Sequence, residues 1–85
     1  MEIRNKKDVE NYVIKTLEEV SQVVEKGDFK RSEKIMEKRI NELKDWFRYL
    51  PPTQKEFFKK VYEEGLQYLL AFYQELATRP RRESI

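Results

Sequence analysis

The sequence predicts an all-α protein, an antiparallel three-helix bundle that runs up, down and up. Apolar residues recur at helical spacing in three segments, near 6–26, 29–49 and 54–78. A glycine–aspartate pair separates the first two segments, and a pair of prolines separates the second from the third. Connections this short place consecutive helices antiparallel. The 85 residues form one domain.

The first predicted helix begins at a polar cap and has one apolar face. Asn5 can cap its start, and Asp8 is favourable there because a helix dipole is positive at its N-terminus. Gly27 can adopt the left-handed conformation that ends a helix. Ile14 falls outside the apolar arc, so we expect it at the surface. The arc contains Val9, Tyr12, Val13, Leu17, Val20, Val23 and Val24.

The second predicted helix has an apolar seam and two clear ends. Asp28 can cap its start. Pro51 and Pro52 end it, because proline donates no backbone hydrogen bond and restricts the residue before it. The seam residues step by four, three, four and three, the spacing of helices that cross at a shallow angle. They are Met36, Ile40, Leu43, Phe47 and Leu50.

The third predicted helix is the most apolar of the three. Thr53 and Glu56 have the spacing of a capping box at its start, and Pro80 stops it. Its apolar residues cover roughly 220° of the circumference, about twice the stripe of a helix with one core face. Gly65 lies within this arc, which predicts close approach of another helix or of a bulky ring such as Trp46.

This surplus of apolar surface has two interpretations. It is either ordinary bundle core or an interface with another chain. In the second case the contact residues are Tyr62, Leu66, Leu70 and Tyr73. An alternative fold follows from the same surplus, in which the third helix is exchanged or paired in a symmetric dimer.

The composition argues against most enzyme chemistry. The chain has no cysteine and no histidine, so thiolate sites and the commonest general base are missing. We expect no catalytic residue, no metal and no cofactor. The charged fraction is high, and the abundance of Lys and Glu is typical of thermophile proteins. No segment is apolar enough to span a membrane or to act as a signal peptide, so we expect a cytoplasmic protein.

Basic residues give an alternative function, direct nucleic-acid binding. Arg31, Lys34 and Lys38 form one stripe on the second helix, opposite its seam. The tail 79–85, expected to be flexible, adds Arg79, Arg81 and Arg82. With a net charge of only +2, any such binding would be weak, independent of sequence and sensitive to salt.

The sequence therefore predicts a non-enzymatic helical interaction module. It would be a small accessory subunit that docks on a larger protein complex, or that self-associates as a homodimer, through the aromatic third helix. Nucleic-acid binding through the second helix and the arginine tail is the alternative.

Overall fold

The structure, a computed structural model, describes residues 2–78 and contains three α-helices. They are α1 (Lys6–Glu25), α2 (Phe29–Arg48) and α3 (Pro52–Thr78). No strand occurs among the described residues. The predicted all-α, three-helix architecture is confirmed, and every helix end lies within two residues of its predicted position.

Local hydrogen bonds explain where α1 and α2 begin. The Asn5 side chain accepts a hydrogen bond from the Asp8 amide at 2.9 Å, and the Asp8 carboxylate accepts one from the Asn5 amide at 3.2 Å. Gly27 has φ 84°, a left-handed conformation, between the two helices. The Asp28 carboxylate then accepts from the Arg31 amide at 3.1 Å. The predicted caps at Asn5 and Asp28 are confirmed.

The predicted start of α3 at a Thr53 cap is wrong. The Lys55 amide donates to the Pro51 carbonyl at 2.9 Å, so the first helical turn already includes Pro52. Proline suits this first position because its φ is preset and its missing amide proton would have no intrahelical partner. Thr53 therefore lies inside the first turn.

Three long-range contacts establish the antiparallel order. The Tyr12 hydroxyl donates to the Arg39 carbonyl at 2.8 Å and joins α1 to α2. Between α2 and α3, Phe47 stacks on Tyr62, and the Tyr73 hydroxyl donates to the Glu37 carboxylate. Contacts therefore move back along α2 as they move forward along α3. The short connection from Glu25 to Phe29 makes α1 antiparallel to α2 as well, so α1 is parallel to α3. All three pairs of helices touch.

The core lies along the line where the three helices meet. Its two buried hydroxyls are satisfied locally, because Thr16 donates to the Tyr12 carbonyl and Ser32 to the Asp28 carbonyl. Ile14 is 52% exposed, as the periodicity of α1 predicts. The buried apolar residues are Val9, Val13, Val20, Met36, Ile40, Leu43, Phe58, Leu69 and Leu76.

Gly65 lets α1 and α3 approach closely. A Cβ atom at this position would lie 2.9 Å from Cγ2 of Val13 and 3.7 Å from Cγ1 of Val9. The predicted close approach is therefore present, and the neighbour is α1. Trp46 packs elsewhere, edge-on against Phe58 with ring centroids 5.1 Å apart.

We predict that the effect of Gly65→Ala on stability reverses sign with the residue at position 13. Alanine gains about 1 kcal/mol of helix propensity over glycine. The added methyl group collides with Val13, whose β-branched side chain is stiff in a helix, and overpacking costs about 1–3 kcal/mol. Gly65→Ala should therefore destabilise the wild type and stabilise a Val13→Ala background. Urea unfolding followed by circular dichroism measures the effect of Gly65→Ala in each background. An equal change in the free energy of unfolding in the two backgrounds would contradict the contact with Val13.

The contribution of Tyr12 to the stability of the fold depends on pH. Its hydroxyl donates to the Arg39 carbonyl and lies 3.3 Å from the Glu42 carboxylate. Burial, together with the nearby Glu42 charge, raises the pKa of Tyr12 from 10.0 to about 12. The folded protein thus holds this proton more tightly than the unfolded chain does. The resulting stabilisation is complete below pH 10 and is lost as the pH rises to about 12.

We predict that Tyr12→Phe lowers the stability by about 1 kcal/mol near neutral pH, through the lost hydrogen bond. Its stability should then fall less steeply than that of the wild type between pH 10 and about 12. Tyr62 and Tyr73, whose pKa values are also raised, titrate in both proteins, so the difference reports Tyr12. Urea midpoints across this pH range test it, and parallel curves would refute the assignment.

Candidate functional site

The four residues predicted as an interface lie on the side of α3 that faces α2, and all are half-buried. The Tyr62 and Phe47 rings stack with centroids 3.9 Å apart, and the Tyr73 hydroxyl donates to Glu37 at 2.9 Å. All four pack against the buried core. The residues are Tyr62, Leu66, Leu70 and Tyr73.

The pKa values of both tyrosines in this group are raised, so both stay protonated to higher pH than a free tyrosine. Burial raises the pKa of Tyr62, and the nearby Glu63 charge adds to the shift. The hydrogen bond to Glu37 raises the pKa of Tyr73. The group is therefore partly used in joining α3 to α2. α2 leaves part of these side chains uncovered. That this uncovered part forms an interface stays a prediction.

The most exposed rings of α3 lie on its other flank. Phe57 is 53% exposed and Tyr68 is 68% exposed. Eleven residues separate them, about three full turns, so they share one face of the helix. On α1, Ile14 follows Tyr12 by two residues, roughly 200° around the helix. Since Tyr12 contacts α2, Ile14 lies on the side of α1 away from α2.

A groove between α1 and α3 is lined by Tyr68, but not by Phe57 or Ile14. It has a volume of about 720 Å³ and is open to solvent. Leu17 contributes from α1, and the other lining residues come from α3. They are Tyr68, Ala71, Phe72, Gln74, Glu75 and Thr78. We call Ile14, Leu17, Phe57, Tyr68 and Phe72 the α1/α3 surface.

Acidic residues border this surface along α1. Glu10 and Glu18 lie one helical turn before and after Ile14. Both are exposed, and neither side chain forms an ion pair or hydrogen bond with another residue in the described range 2–78. Lys7, two turns before Ile14, is the basic residue nearest to it on the same stripe. The α1 edge is therefore predominantly negative.

The α3 edge is negative as well. Glu64 lies one turn before Tyr68, and Glu75 lies two turns after it. Both glutamates are exposed and, within the part of the chain described, neither is paired. At the far end, the Lys6 ammonium lies 4.7 Å from the centroid of the Phe57 ring and covers it with positive charge.

The predicted basic stripe lies on the outer face of α2. Arg31, Lys34 and Lys38 are all exposed. None of the three forms an ion pair with a residue between positions 2 and 78. The three arginines predicted to extend this stripe lie outside the described residues. They are Arg79, Arg81 and Arg82.

Sequence periodicity alone did not identify the α1/α3 surface. It placed Phe57 and Tyr68 at one edge of a wide apolar arc and treated Ile14 as a single exposed residue. Glu64 and Glu75 share the stripe of Tyr68, and this acidic spacing is the one sequence signal for its exposure. That Ile14 lies on the side of α1 away from α2 follows from the contact between Tyr12 and α2.

Residues 2–78 also lack the features of a metal site and of a helix that could span a membrane. No group of three or more acidic side chains is arranged to hold a metal ion. None of the described helices combines the length and the apolar character needed to cross a membrane. Comparison of the chain with protein-family models, curated proteins and solved structures found no match.

Proposed function

We propose that the chain is a non-enzymatic interaction module, a small accessory subunit that docks on another protein through the α1/α3 surface. The exposure of Phe57 and Tyr68 on one face of α3 carries this proposal. Ile14 and the groove extend the exposed apolar area onto α1. Exposed apolar patches bordered by charged residues often mark binding surfaces.

The two rings have the properties of interface anchors. Each sits on a regular helix, so its backbone is already ordered before binding. An aromatic side chain has few rotatable bonds and buries a large area, and Tyr is enriched among the residues that dominate binding energy. Covering the exposed half of each ring would contribute about 1 kcal/mol or more. Together with Ile14, the two rings supply the centre of a modest interface.

The residues predicted from the sequence as an interface, on the side of α3 that faces α2, contribute less to this proposal. α2 already covers part of Tyr62 and Tyr73. A partner that reaches this side would contact only what α2 leaves uncovered, chiefly at Leu66 and Leu70. Self-association through this face as a homodimer is the competing arrangement, and light scattering at micromolar concentration detects it.

We predict that a photo-crosslinker at position 68 captures a partner and that one at position 49 does not. Tyr49, 77% exposed at the end of α2, is the matched control. p-Benzoylphenylalanine would replace either tyrosine in extract of the cells that make the protein. The captured partner, once purified, should bind Tyr68→Ala about tenfold more weakly than the wild type. Equal adducts at both positions, or none at position 68, would contradict the proposal.

Nucleic-acid binding is a second candidate because three exposed basic residues share one face of α2. We predict weak binding of single- or double-stranded DNA at about 50 mM salt that disappears at higher salt. Replacing Arg31, Lys34 and Lys38 with Gln should abolish it. The control replaces Lys15, Lys26 and Lys60, which are exposed elsewhere. Absence of binding at low salt, or equal loss in the control, would dismiss this candidate.

A further inference from the structure

We propose that the α1/α3 surface receives a basic amphipathic helix of the partner protein. This inference rests on the proposed function and specifies its partner. The observations that carry it are the shape of the groove, the apolar residues within it and the sign of the charges on both edges.

The groove is long enough to hold part of a helix from the partner protein. It lies between two parallel helices, with Leu17 and Phe72 half-buried between them and Tyr68 exposed at its edge. From Tyr68 to Thr78 the lined stretch is about 15 Å long, or roughly three helical turns. Helices that bind such grooves insert apolar residues at positions i, i+3 or i+4, and i+7. A short amphipathic segment is therefore sufficient.

The charges on the edges select the sign of the partner. The positions three, four or seven residues from Ile14, Phe57 and Tyr68 include four glutamates and two lysines. They are Glu10, Glu18, Glu64, Glu75, Lys7 and Lys60. A helix with Lys or Arg beside its apolar stripe complements this border and is steered towards it. Nucleic acids and acidic membranes are repelled by the same border.

A second copy of the chain is a poor occupant. In a symmetric dimer the same patch meets itself, so the glutamates of one copy would face those of the other. The basic stripe of α2 cannot fill the groove either. Around Arg31, Lys34 and Lys38 the outer face continues with Asn41 and Asp45, and its one exposed ring, Tyr49, lies at the end of α2, so it presents no apolar stripe to insert. An apolar stripe with basic borders has to come from another protein.

Three synthetic peptides of about 14 residues test the inference with purified protein. The first has leucines at i, i+3, i+4 and i+7 and lysines elsewhere. The second has glutamates in place of the lysines, and the third has the lysine composition in a scrambled order. Fluorescence anisotropy at about 50 mM salt should show the amphipathic lysine peptide binding at least tenfold more tightly than either control.

Variants of the protein locate the binding. Glu64→Gln with Glu75→Gln should weaken the lysine peptide about fivefold or more. Glu56→Gln with Glu63→Gln, which lie roughly 100° further round α3 and before the lined stretch, should have a clearly smaller effect. Glu64→Lys with Glu75→Lys should shift the preference towards the glutamate peptide. Circular dichroism confirms that each variant folds, and Tyr68→Ala should also weaken binding.

Three outcomes would overturn the inference. They are equal binding of the scrambled peptide, equal effects of the two glutamine pairs, or a concentration-dependent dimer that Tyr68→Ala dissolves. If the lysine peptide fails while a crosslinker at position 68 still captures a partner, the proposed charge is wrong and the interaction function stands. If both experiments fail, the α1/α3 surface is not a docking site.

Discussion

The apolar circumference of α3 is the constraint on which the rest of the structure depends. Apolar residues cover roughly 220° of this helix, and two neighbouring helices share the task of covering them. α2 takes the flank of Tyr62 and Tyr73, and α1 takes the flank of Gly65. What remains exposed lies beyond α1, at Phe57 and Tyr68. The candidate site is thus the uncovered edge of the same apolar arc that forms the core.

The close approach of α1 and α3 determines the shape of that edge. Because Gly65 has no side chain, Val9 and Val13 pack directly against α3. The groove beside this contact stays shallow, with Leu17 and Phe72 partly buried within it. The bordering glutamates are left without partners among residues 2–78. The same packing that stabilises the bundle therefore also presents an apolar stripe with an acidic border.

The features that could be predicted from the sequence are those set by local chemistry. The caps at Asn5 and Asp28 were predictable because each side chain bonds an amide three residues away. Thr53 was assigned wrongly because a proline at the first helical position competes with a capping threonine. The α1/α3 surface could not be predicted, because periodicity gives the width of an apolar arc and not which edge of it a neighbouring helix covers. That choice depends on the handedness of the bundle. Three amphipathic segments with short connections are compatible with either handedness.

Hydroxyl-radical footprinting of the purified protein, at a concentration where light scattering shows a monomer, tests the central claim most directly. The account predicts rapid oxidation of Tyr68 and Phe57, slower oxidation of Tyr62 and Tyr73, and protection of Phe58. If Tyr68 is protected in the monomer as strongly as Phe58, the chain encloses its own apolar surface. No docking site would then remain beside α1.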